Sequence, residues 1–428
     1  HHFNQSMMLY RKEGFEEAAI RKVFDKIVAH HDALRMVYQI REDGVTQYNR
    51  GVQEDIYSLE IVDLRNQDAY ETKITKIANQ IQSSIDLANG PLVKLGLFKT
   101  TTGDHLLIVS HHLVIDGVSW RIMLEDIATA YAQVSQGTEI VLPPKTDSFK
   151  EWAGKQLEYA QSKEIKRQIP YWKNLETMDV ARLPRDYQIQ TNQIKDSKNL
   201  TVSLSAEETQ TLLKQVNQTY HTEINDILLT ALGMAVREWS GASKVLINLE
   251  GHGREEIIEG IDINRTMGWF TTAYPVVLDM TKGEDLSYQI KYIKESIRRI
   301  PNKGIGYGIL KYLTPSGLQE PLKFSLKPEI SFNYLGQFDQ DVTTGSFDVS
   351  SFFCGEAVSA NNERQYTIDI NGMVAGGRLV LTFSYNQNEY REESVRQLTD
   401  GYKRKLLEVV GHCLEKESEL TPSDLGDK

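Results

Sequence analysis

Residues 104–120, DHLLIVSHHLVIDGVSW, constrain the fold of this chain more than any other stretch. The apolar run Leu106 to Val109 predicts a buried strand that ends at two adjacent histidines, His111 and His112. The turn Asp116-Gly117 follows, and then a helical pattern begins. Such a strand end holds an imidazole on a rigid frame, and histidine is the side chain best suited to proton transfer near neutral pH. The segment therefore predicts a proton-transfer site, whereas an isolated His-His pair is more often just the polar end of a strand.

Composition and charge limit the classes of function. The chain has 428 residues, too many for one compact core, so we expect two lobes. Its formal net charge is -11, which argues against nucleic acid as a partner because phosphate binding needs a concentrated basic surface. Two cysteines, Cys354 and Cys413, form neither a disulfide framework nor a CxxC pair, which fits a reducing cytoplasm. No apolar run reaches the roughly 18 residues of a membrane span, and no secretory signal is visible.

Both ends of the sequence indicate one domain of a longer polypeptide. The chain opens with His1-His2 rather than methionine, and these two histidines are either native or a tag remnant. Residues 420–428, LTPSDLGDK, are interpreted as a linker that leaves a folded unit.

Alternating helical and strand patterns predict an α/β protein with two lobes, 1–190 and 191–428, divided at the polar stretch 185–199. Each half has a helix, then a strand with a polar motif at its end, so two lobes that face each other would bring both motifs to one cleft. A second pair, His30-His31, is interpreted as a helix C-terminus. The predicted helices are 14–29, 70–85, one carrying Trp120 to Tyr131, one beginning after the capping box Ser205 to Glu208, one carrying Ile224 to Ala235, Leu286 to Ile300 and Val395 to Val410; the predicted strands are 36–40, 92–98, 105–110, 245–249, 330–334 and the hairpin 366–385.

The second polar motif is Glu250-Gly-His-Gly-Arg254, at the end of an apolar strand. A carboxylate beside apolar residues tends to have a raised pKa, which makes it a usable proton acceptor and donor. The alternative is a solvated glutamate at a strand end. Arg254 either pairs with a carboxylate or is a plain surface charge.

A third candidate is Asn333-Tyr334, at the end of a later strand. Tyr334 could donate a hydrogen bond to a developing oxyanion, although an aromatic core residue is the more usual case for this pattern. Strand alternation places Asn333 and Tyr334 on opposite faces unless a bulge intervenes.

Other motifs carry less information. The loop Gly304-Ile-Gly-Tyr-Gly308 follows Pro301 rather than a strand, so it is a poor match to a phosphate-binding loop. GxGxxG, P-loop, GxSxG and HExxH patterns are absent. His112 and Asp116 alone do not make a metal site.

Taken together, these strings resemble the condensation-domain superfamily of nonribosomal peptide synthetases, and within it the epimerization domains, most of all those of tyrocidine and gramicidin S type synthetases. The segment HHLVIDGVSW (111–120) resembles the histidine motif shared with condensation domains. Five further strings resemble the epimerization-specific set, in order: DILLTALG (226–233), EGHGRE (250–255), RTMGWFTTAYPV (265–276), PNKGIGYG (301–308) and FNYLGQ (332–337). The family's opening motif is missing.

The resemblance implies two chloramphenicol-acetyltransferase-like lobes that form a V-shaped pseudo-dimer with a central tunnel. It implies inversion of Cα, from L to D, in an aminoacyl or peptidyl residue carried as a phosphopantetheine thioester. The family's catalytic residues map to His112, Glu250 and Tyr334. Asp116 would hold its loop through an ion pair, and Asn333 and Arg254 are expected to support the site.

The expected chemistry needs no cofactor bound directly and no metal, since a thioester acidifies the Cα proton and the substrate arrives on its phosphopantetheine arm. The expected partners are an upstream peptidyl carrier domain in cis and a downstream condensation domain or synthetase, around a monomeric, cytoplasmic domain. The sequence leaves open whether one or two bases act. It does not identify the epimerized side chain, for which phenylalanine is a working hypothesis.

Two rival functions follow from the same residues. A condensation domain would use the HHxxxDG motif to form an amide bond, and the Glu250 and FNYLGQ strings favour epimerization over it. An inactive docking domain is the second rival, and intact His112, Glu250 and Tyr334 argue against it.

Overall fold

A computed structural model describes residues 1–52, 55–337 and 347–426 of the chain. These residues form two compact units, neither of them continuous in sequence. The first comprises 1–154, 259–271 and the described part of 339–360, and the second comprises 155–258, the described part of 272–338 and 361–426. The domain boundary near residue 190 stays a prediction.

The first unit is built on a five-stranded sheet with a separate two-stranded hairpin. In the sheet, β1 pairs antiparallel with β6 along its whole length, from Asn4↔His111 to Arg11↔Asp104. The sheet order is β11 (Asp348–Val349), β1 (Asn4–Arg11), β6 (Gly103–His111), β5 (Val93–Thr100) and β4 (Ser58–Asp63), and the hairpin joins β2 (Met36–Arg41) to β3 (Gly44–Asn49). The helices are α1 (Glu17–His30), α2 (Tyr70–Ser83), α3 (Gly117–Ser135) and α4 (Phe149–Tyr159), which continues past residue 154.

Local sequence explains the elements that carry the His-His motif. Every residue of β6 is buried, and the apolar run Leu106 to Val109 lies at its centre, as predicted. Helix α3 begins where Asp116 caps it, with the Asp116 side chain accepting a hydrogen bond from the Ser119 amide. Its buried stripe includes Trp120, Met123 and Ile127, which confirms the predicted helical face.

The second unit is built on a six-stranded sheet. The sheet order is β7 (Ser197–Ser203), β13 (Arg378–Asn386), β12 (Ile368–Ala375), β10 (Ile330–Gln337), β8 (Lys244–Gly251) and β9 (Thr272–Asp279). Strand β10 pairs parallel with both β8 and β12. The helices are α5 (Lys163–Lys166), α6 (Ile169–Glu176), α7 (Ala206–Lys214), α8 (Asn217–Tyr220), α9 (Ile224–Ser240), α10 (Leu286–Arg298), α11 (Ile305–Gly308) and α12 (Glu392–Glu415).

Two sequence signals of this half are confirmed. Ser205 and Glu208 form the predicted capping box of α7, with hydrogen bonds of 2.8 and 3.0 Å. The predicted hairpin turns at Gly376 and Gly377, both at positive φ, where glycine carries no steric cost. The predicted boundary stretch is only partly irregular, because 197–199 already belongs to β7.

The glycine-rich loop after α10 is a packing feature. A Cβ at Gly304 would lie 2.3 Å from the Tyr274 ring, and a Cβ at Gly306 would lie 2.0 Å from Gln168 Oε1. Neighbouring side chains therefore fill the space beside these glycines, as expected for a loop that does not bind phosphate.

Part of the tail interpreted as a linker is folded onto α10, so the linker interpretation fails for it. The ammonium of Lys294 is buried and donates hydrogen bonds of 2.8 Å to Thr421 Oγ1 and to both carboxylate oxygens of Asp424. The third accepting residue is Tyr220, whose carbonyl oxygen lies 2.8 Å from the ammonium nitrogen. A buried cation needs such partners, and the tail supplies two of them. Across 1–52, 55–337 and 347–426, none of the helices combines the length and the apolar character that a membrane crossing needs.

Candidate active site

His112 lies just past the end of β6, in a short 3₁₀ turn (His112–Val114) that leads to α3. Its Nδ1 lies 2.8 Å from the Ile115 carbonyl oxygen, and its Nε2 lies 3.2 Å from the Gln5 side-chain amide. The indole of Trp269 stacks on the imidazole with a centroid distance of 3.8 Å. Burial lowers the pKa of His112, although its two backbone hydrogen bonds and Asp116 oppose this effect. His112 is therefore a neutral imidazole at physiological pH.

His111 has different surroundings from His112. Its Nε2 donates to the His1 carbonyl at 2.8 Å, and its Nδ1 accepts from the Leu113 amide at 3.2 Å. Burial and then the neighbouring His112 lower the pKa of His111 to about 4. Both ring nitrogens of His111 are thus occupied by hydrogen bonds to backbone groups around the turn.

Asp116 ties the turn to the segment that carries Trp269. Its Oδ1 accepts from the amide and hydroxyl of Ser119 at 2.9 and 2.8 Å, and its Oδ2 accepts from the Phe270 amide at 3.0 Å. Ser119 Oγ in turn accepts a hydrogen bond of 3.1 Å from the Gly268 amide. These hydrogen bonds hold the loop; the ion pair implied by the resemblance stays a prediction.

The second His-His pair has a structural setting. His30 is the last residue of α1, as predicted, and its ring bonds the Pro143 carbonyl at 3.0 Å. His31 is buried against Asp126, a carboxylate that also accepts a 2.6 Å hydrogen bond from Arg265.

A cavity of about 700 Å³ lies in the first unit beside these residues. Its described lining includes Leu113 and Val114 of the motif, but His112 is not among the residues that line it. Apolar surface predominates in this cavity, and the charged side chains at its wall include Lys145 and Arg265. A ligand in this cavity would therefore lie next to the motif turn rather than on the imidazole.

In the second unit, Glu250 lies one residue before the end of β8. Its Oε2 accepts a hydrogen bond of 2.9 Å from the Asn333 side-chain amide on the neighbouring strand β10. The side chain is exposed overall. Desolvation by the surrounding groups and, after it, the charge of Asp369 raise the pKa of Glu250. A carboxyl with a raised pKa can both accept and return a proton near neutral pH.

Glu250 belongs to a polar row on one face of the sheet. Register and alternation place three pairs on this face: Asn248 and Glu250 of β8, Ser331 and Asn333 of β10, and Asp369 and Asn371 of β12. Direct contacts agree, since the Asn248 amide donates to Ser331 Oγ at 3.2 Å. Burial raises the pKa of Asp369, while Arg364 opposes the rise. Two carboxyl groups whose pKa values are both raised thus share one face.

The side chain of Tyr334 belongs to the opposite face of β10 from that of Asn333. It is paired with Gly372 of β12, and the register irregularity of β10 begins only after Tyr334. A Cβ at Gly372 would lie 3.7 Å from the Tyr334 ring. Alternation therefore separates Tyr334 from the face of Asn333 and Glu250, as the sequence predicts in the absence of a bulge. Burial raises the pKa of Tyr334, so its hydroxyl stays protonated and can donate.

Arg254 is buried rather than exposed, which decides against a plain surface charge. Its backbone amide donates to His252 Nδ1 at 2.9 Å, and His252 Nε2 lies 3.2 Å from Glu255. Gly253, between them, has a φ of 74° that favours glycine. The EGHGRE string therefore forms a compact turn that continues from β8.

Sequence reasoning missed several residues that contact the candidates or share their charge environment. Gln5, Phe3 and Trp269 contact His112, and Asp369 influences Glu250. Burial, followed by the charges of Glu250 and Asp369, raises the pKa of Tyr366 to about 12. Trp269 lay inside a string already singled out, whereas strand parity within the predicted hairpin could have indicated Asp369. Within the described ranges, no group of three or more His, Cys, Asp or Glu side chains could hold a metal ion.

The family model for the condensation domain matches residues 1–427. The chain belongs to the condensation-domain family. It is 50% identical to tyrocidine synthase 2 of Brevibacillus parabrevis over 430 residues and 49% identical to gramicidin S synthase 1 of Brevibacillus brevis over 438 residues. Each match covers 100% of this chain, which spans only 12% and 40% of these two relatives.

Solved structures of the condensation-domain family agree with the two-lobe α/β fold. The crystal structure of the epimerization domain from the third module of tyrocidine synthetase B is 49% identical, with a TM-score of 0.93, over 97% of this chain and 94% of that one. The condensation domain of a Monacolin K polyketide synthase has a TM-score of 0.75 at 14% identity, over 97% and 93% of the two chains, and shares the fold alone. The predicted resemblance to epimerization domains of the tyrocidine and gramicidin S type is confirmed.

Proposed function

We propose that this condensation-family domain inverts Cα of an aminoacyl or peptidyl residue, from L to D. The residue would be carried as a phosphopantetheine thioester on a peptidyl carrier domain of the same synthetase, with a condensation domain or another synthetase downstream. The observation that carries the proposal is the Glu250 carboxyl, whose pKa is raised and which Asn333 holds in place. The 49% identity to a solved epimerization domain supports it.

The proposed chemistry is removal of the α-proton and its return to the opposite face through an enolate-like intermediate. Glu250 is the proposed proton acceptor, since an ionised carboxylate would repel a developing enolate oxygen and serves better near Cα. The neutral His112 is the second proposed proton-transfer group. Asn333 is proposed to orient Glu250, and Asp116 to hold the turn behind His112.

The enolate oxygen needs a hydrogen-bond donor, and we propose Tyr334 because the family resemblance assigns it, although its side chain lies on the face of β10 opposite Asn333 and Glu250. Its hydroxyl is protonated, as a donor must be. The buried Arg254 is proposed to support the turn that follows Glu250. The acyl thioester supplies the acidity of Cα, so the described residues need only move protons and stabilise one oxygen.

Peptide-bond formation is the second candidate function. It is favoured by one observation, the His-His-xxx-Asp-Gly turn, which epimerization and condensation domains share. A condensation reaction gives no direct role to the polar row around Glu250, which is why we place it second.

One experiment separates the two functions. A carrier domain is loaded with an L-aminoacyl thioester tritiated at Cα, and the domain is added without any second amino acid. Epimerization predicts loss of tritium to water and a mixture of L and D residues after thioester hydrolysis. Retention of tritium, together with amide formation once an acceptor thioester is supplied, would replace the proposal with condensation.

A further inference from the structure

Gln5 connects Trp120 to His112 through two hydrogen bonds within the first unit. The Trp120 indole Nε1 donates to Gln5 Oε1 at 2.9 Å, and Gln5 Nε2 lies 3.2 Å from His112 Nε2. An indole N–H can only donate, so the Gln5 atom that faces Trp120 is the oxygen. The Gln5 atom that faces His112 is therefore the amide nitrogen, which in turn can only donate.

This orientation decides the protonation state of His112. Because Gln5 presents a donor, His112 Nε2 must offer its lone pair. Nδ1 lies 2.8 Å from the Ile115 carbonyl oxygen, which can only accept, so Nδ1 carries the proton. The neutral Nδ1–H tautomer satisfies both contacts, whereas an imidazolium would point an N–H group at the Gln5 amide.

We propose that Gln5 is a positioning residue that holds His112 in the neutral Nδ1–H form and covers its Nε2 lone pair until substrate arrives. The inference rests on the proposed function and deepens it, because Nε2 is then the atom that exchanges a proton with the substrate. Trp120 is buried and fixes the amide, so Gln5 cannot simply rotate to present its oxygen. Proton acceptance at Nε2 requires the Gln5 amide to move aside.

The backbone supports this role. Gln5 lies in β1 opposite Ser110 of β6, two residues before His112, and Trp120 lies in the first turn of α3. Two titratable groups adjoin His112 along the chain. Asp116 favours the charged form of His112. His111, with His2 beside it, has a pKa of about 4, so it stays neutral over the pH range in which His112 would titrate.

The test is nitrogen NMR of the histidine rings in the ¹⁵N-histidine-labelled domain, with His112 assigned from the spectrum of His112→Ala. We expect the wild type to show a protonated Nδ1 and an unprotonated Nε2. Gln5→Glu replaces the donor with an acceptor and should raise the pKa of His112 by about one pH unit or more. Gln5→Leu removes the donor and should raise the pKa less. Trp120→Phe frees the amide to turn its oxygen toward His112, so it should raise the pKa as well.

Matched controls separate this effect from general perturbation. Gln136→Glu makes the same chemical change at an exposed site of the first unit, and Trp239→Phe removes an indole hydrogen bond in the second unit. Neither should change the His112 signals. Unchanged tautomer and pKa in Gln5→Glu, Gln5→Leu and Trp120→Phe would overturn the inference. Since the readout needs no turnover, a wild-type domain that fails to epimerize would refute the proposed function and leave this result standing.

Discussion

The Asn333 amide donates a 2.9 Å hydrogen bond to Glu250 Oε2, between side chains on the parallel strands β10 and β8. The bond favours the carboxylate, whereas desolvation and the charge of Asp369 favour the carboxylic acid and prevail. The parallel register aligns Phe332 with Leu249, so the next residue of each strand falls on the same face. The sheet therefore holds the Glu250 carboxyl against the Asn333 amide, with the pKa of that carboxyl raised above its ordinary value.

Replacing Glu250 by glutamine should abolish its action as a base while preserving its shape. We expect Glu250→Gln to lose several orders of magnitude in the exchange of the α-proton with deuterated solvent, because an amide cannot accept that proton. Carrier binding should survive. The measurement is mass spectrometry of deuterium incorporation into a carrier-bound L-aminoacyl thioester.

Two variants calibrate this loss. Glu207→Gln changes an exposed glutamate in the first turn of α7 and should exchange at the wild-type rate. Tyr334→Phe should fall between the two, since removal of one oxyanion donor typically costs about 10² to 10³ in rate. Near wild-type exchange by Glu250→Gln would transfer the role of base to His112 or to another group.

The two adjacent histidines should respond differently to truncation. His112→Ala should nearly abolish epimerization with little change in melting temperature, because its ring is only partly buried and water can replace the lost partners. His111→Ala should keep most activity and lose stability, since it leaves the His1 carbonyl and the Leu113 amide without their partner. A loss of about 1 to 3 kcal/mol is typical of unpaired buried polar groups. Equal loss of turnover in both variants, with equal melting curves, contradicts the assignment.

Strands and helices with a strong period were predictable from the sequence. Strand β6 is centred on the apolar run Leu106 to Val109 and α3 carries a regular buried stripe, so both follow from local pattern. Strand β1 has the mixed sequence NQSMMLYR, which gives no clear strand pattern by itself. It forms a strand because it pairs with β6, a long-range contact that no local pattern indicates. The prediction that the tail is a linker was wrong for a similar reason, because Asp424 of the tail binds the buried Lys294, which is distant in sequence.

The candidate site was predictable residue by residue but not in its contacts. His112, Glu250 and Asn333 stood at strand ends, where polar side chains interrupt apolar runs. The donor on His112 and the charge near Glu250 come from Gln5 and Asp369, which lie on other strands. Such pairs depend on strand order and register, and neither can be predicted from the sequence of a single segment.

The contact between Lys294 and Asp424 should matter for stability far more than a surface ion pair does. Asp424→Asn leaves a buried ammonium with weaker partners and should cost about 3 kcal/mol of unfolding free energy in chemical denaturation. Glu419→Gln breaks the exposed pair with Lys291 and should cost less than about 1 kcal/mol. A similar small cost for both variants would mean that the tail contributes little to stability.

The same contact gives a pH dependence of stability. Burial opposes ionisation of Asp424, but hydrogen bonds from Lys294 and the Thr421 amide outweigh it and hold the pKa of Asp424 below its ordinary value. A lowered pKa stabilises the fold at pH values above the ordinary aspartate pKa of about 3.9. This stabilisation is lost as the pH falls through the pKa of the folded state. The stability gap between wild type and Asp424→Asn should therefore narrow below about pH 4.

Removing the neighbouring carboxylate should shift the pH profile of the proposed reaction. Asp369 raises the pKa of Glu250, so Asp369→Asn should lower that pKa and move the acidic limb of kcat/KM toward lower pH by about half to one pH unit. Asp400→Asn, at an exposed site on α12, should leave the profile unchanged. If the limb of Asp369→Asn stays in place or moves to higher pH, the acidic limb reports a group other than Glu250, because loss of a like charge cannot raise the pKa of a carboxyl.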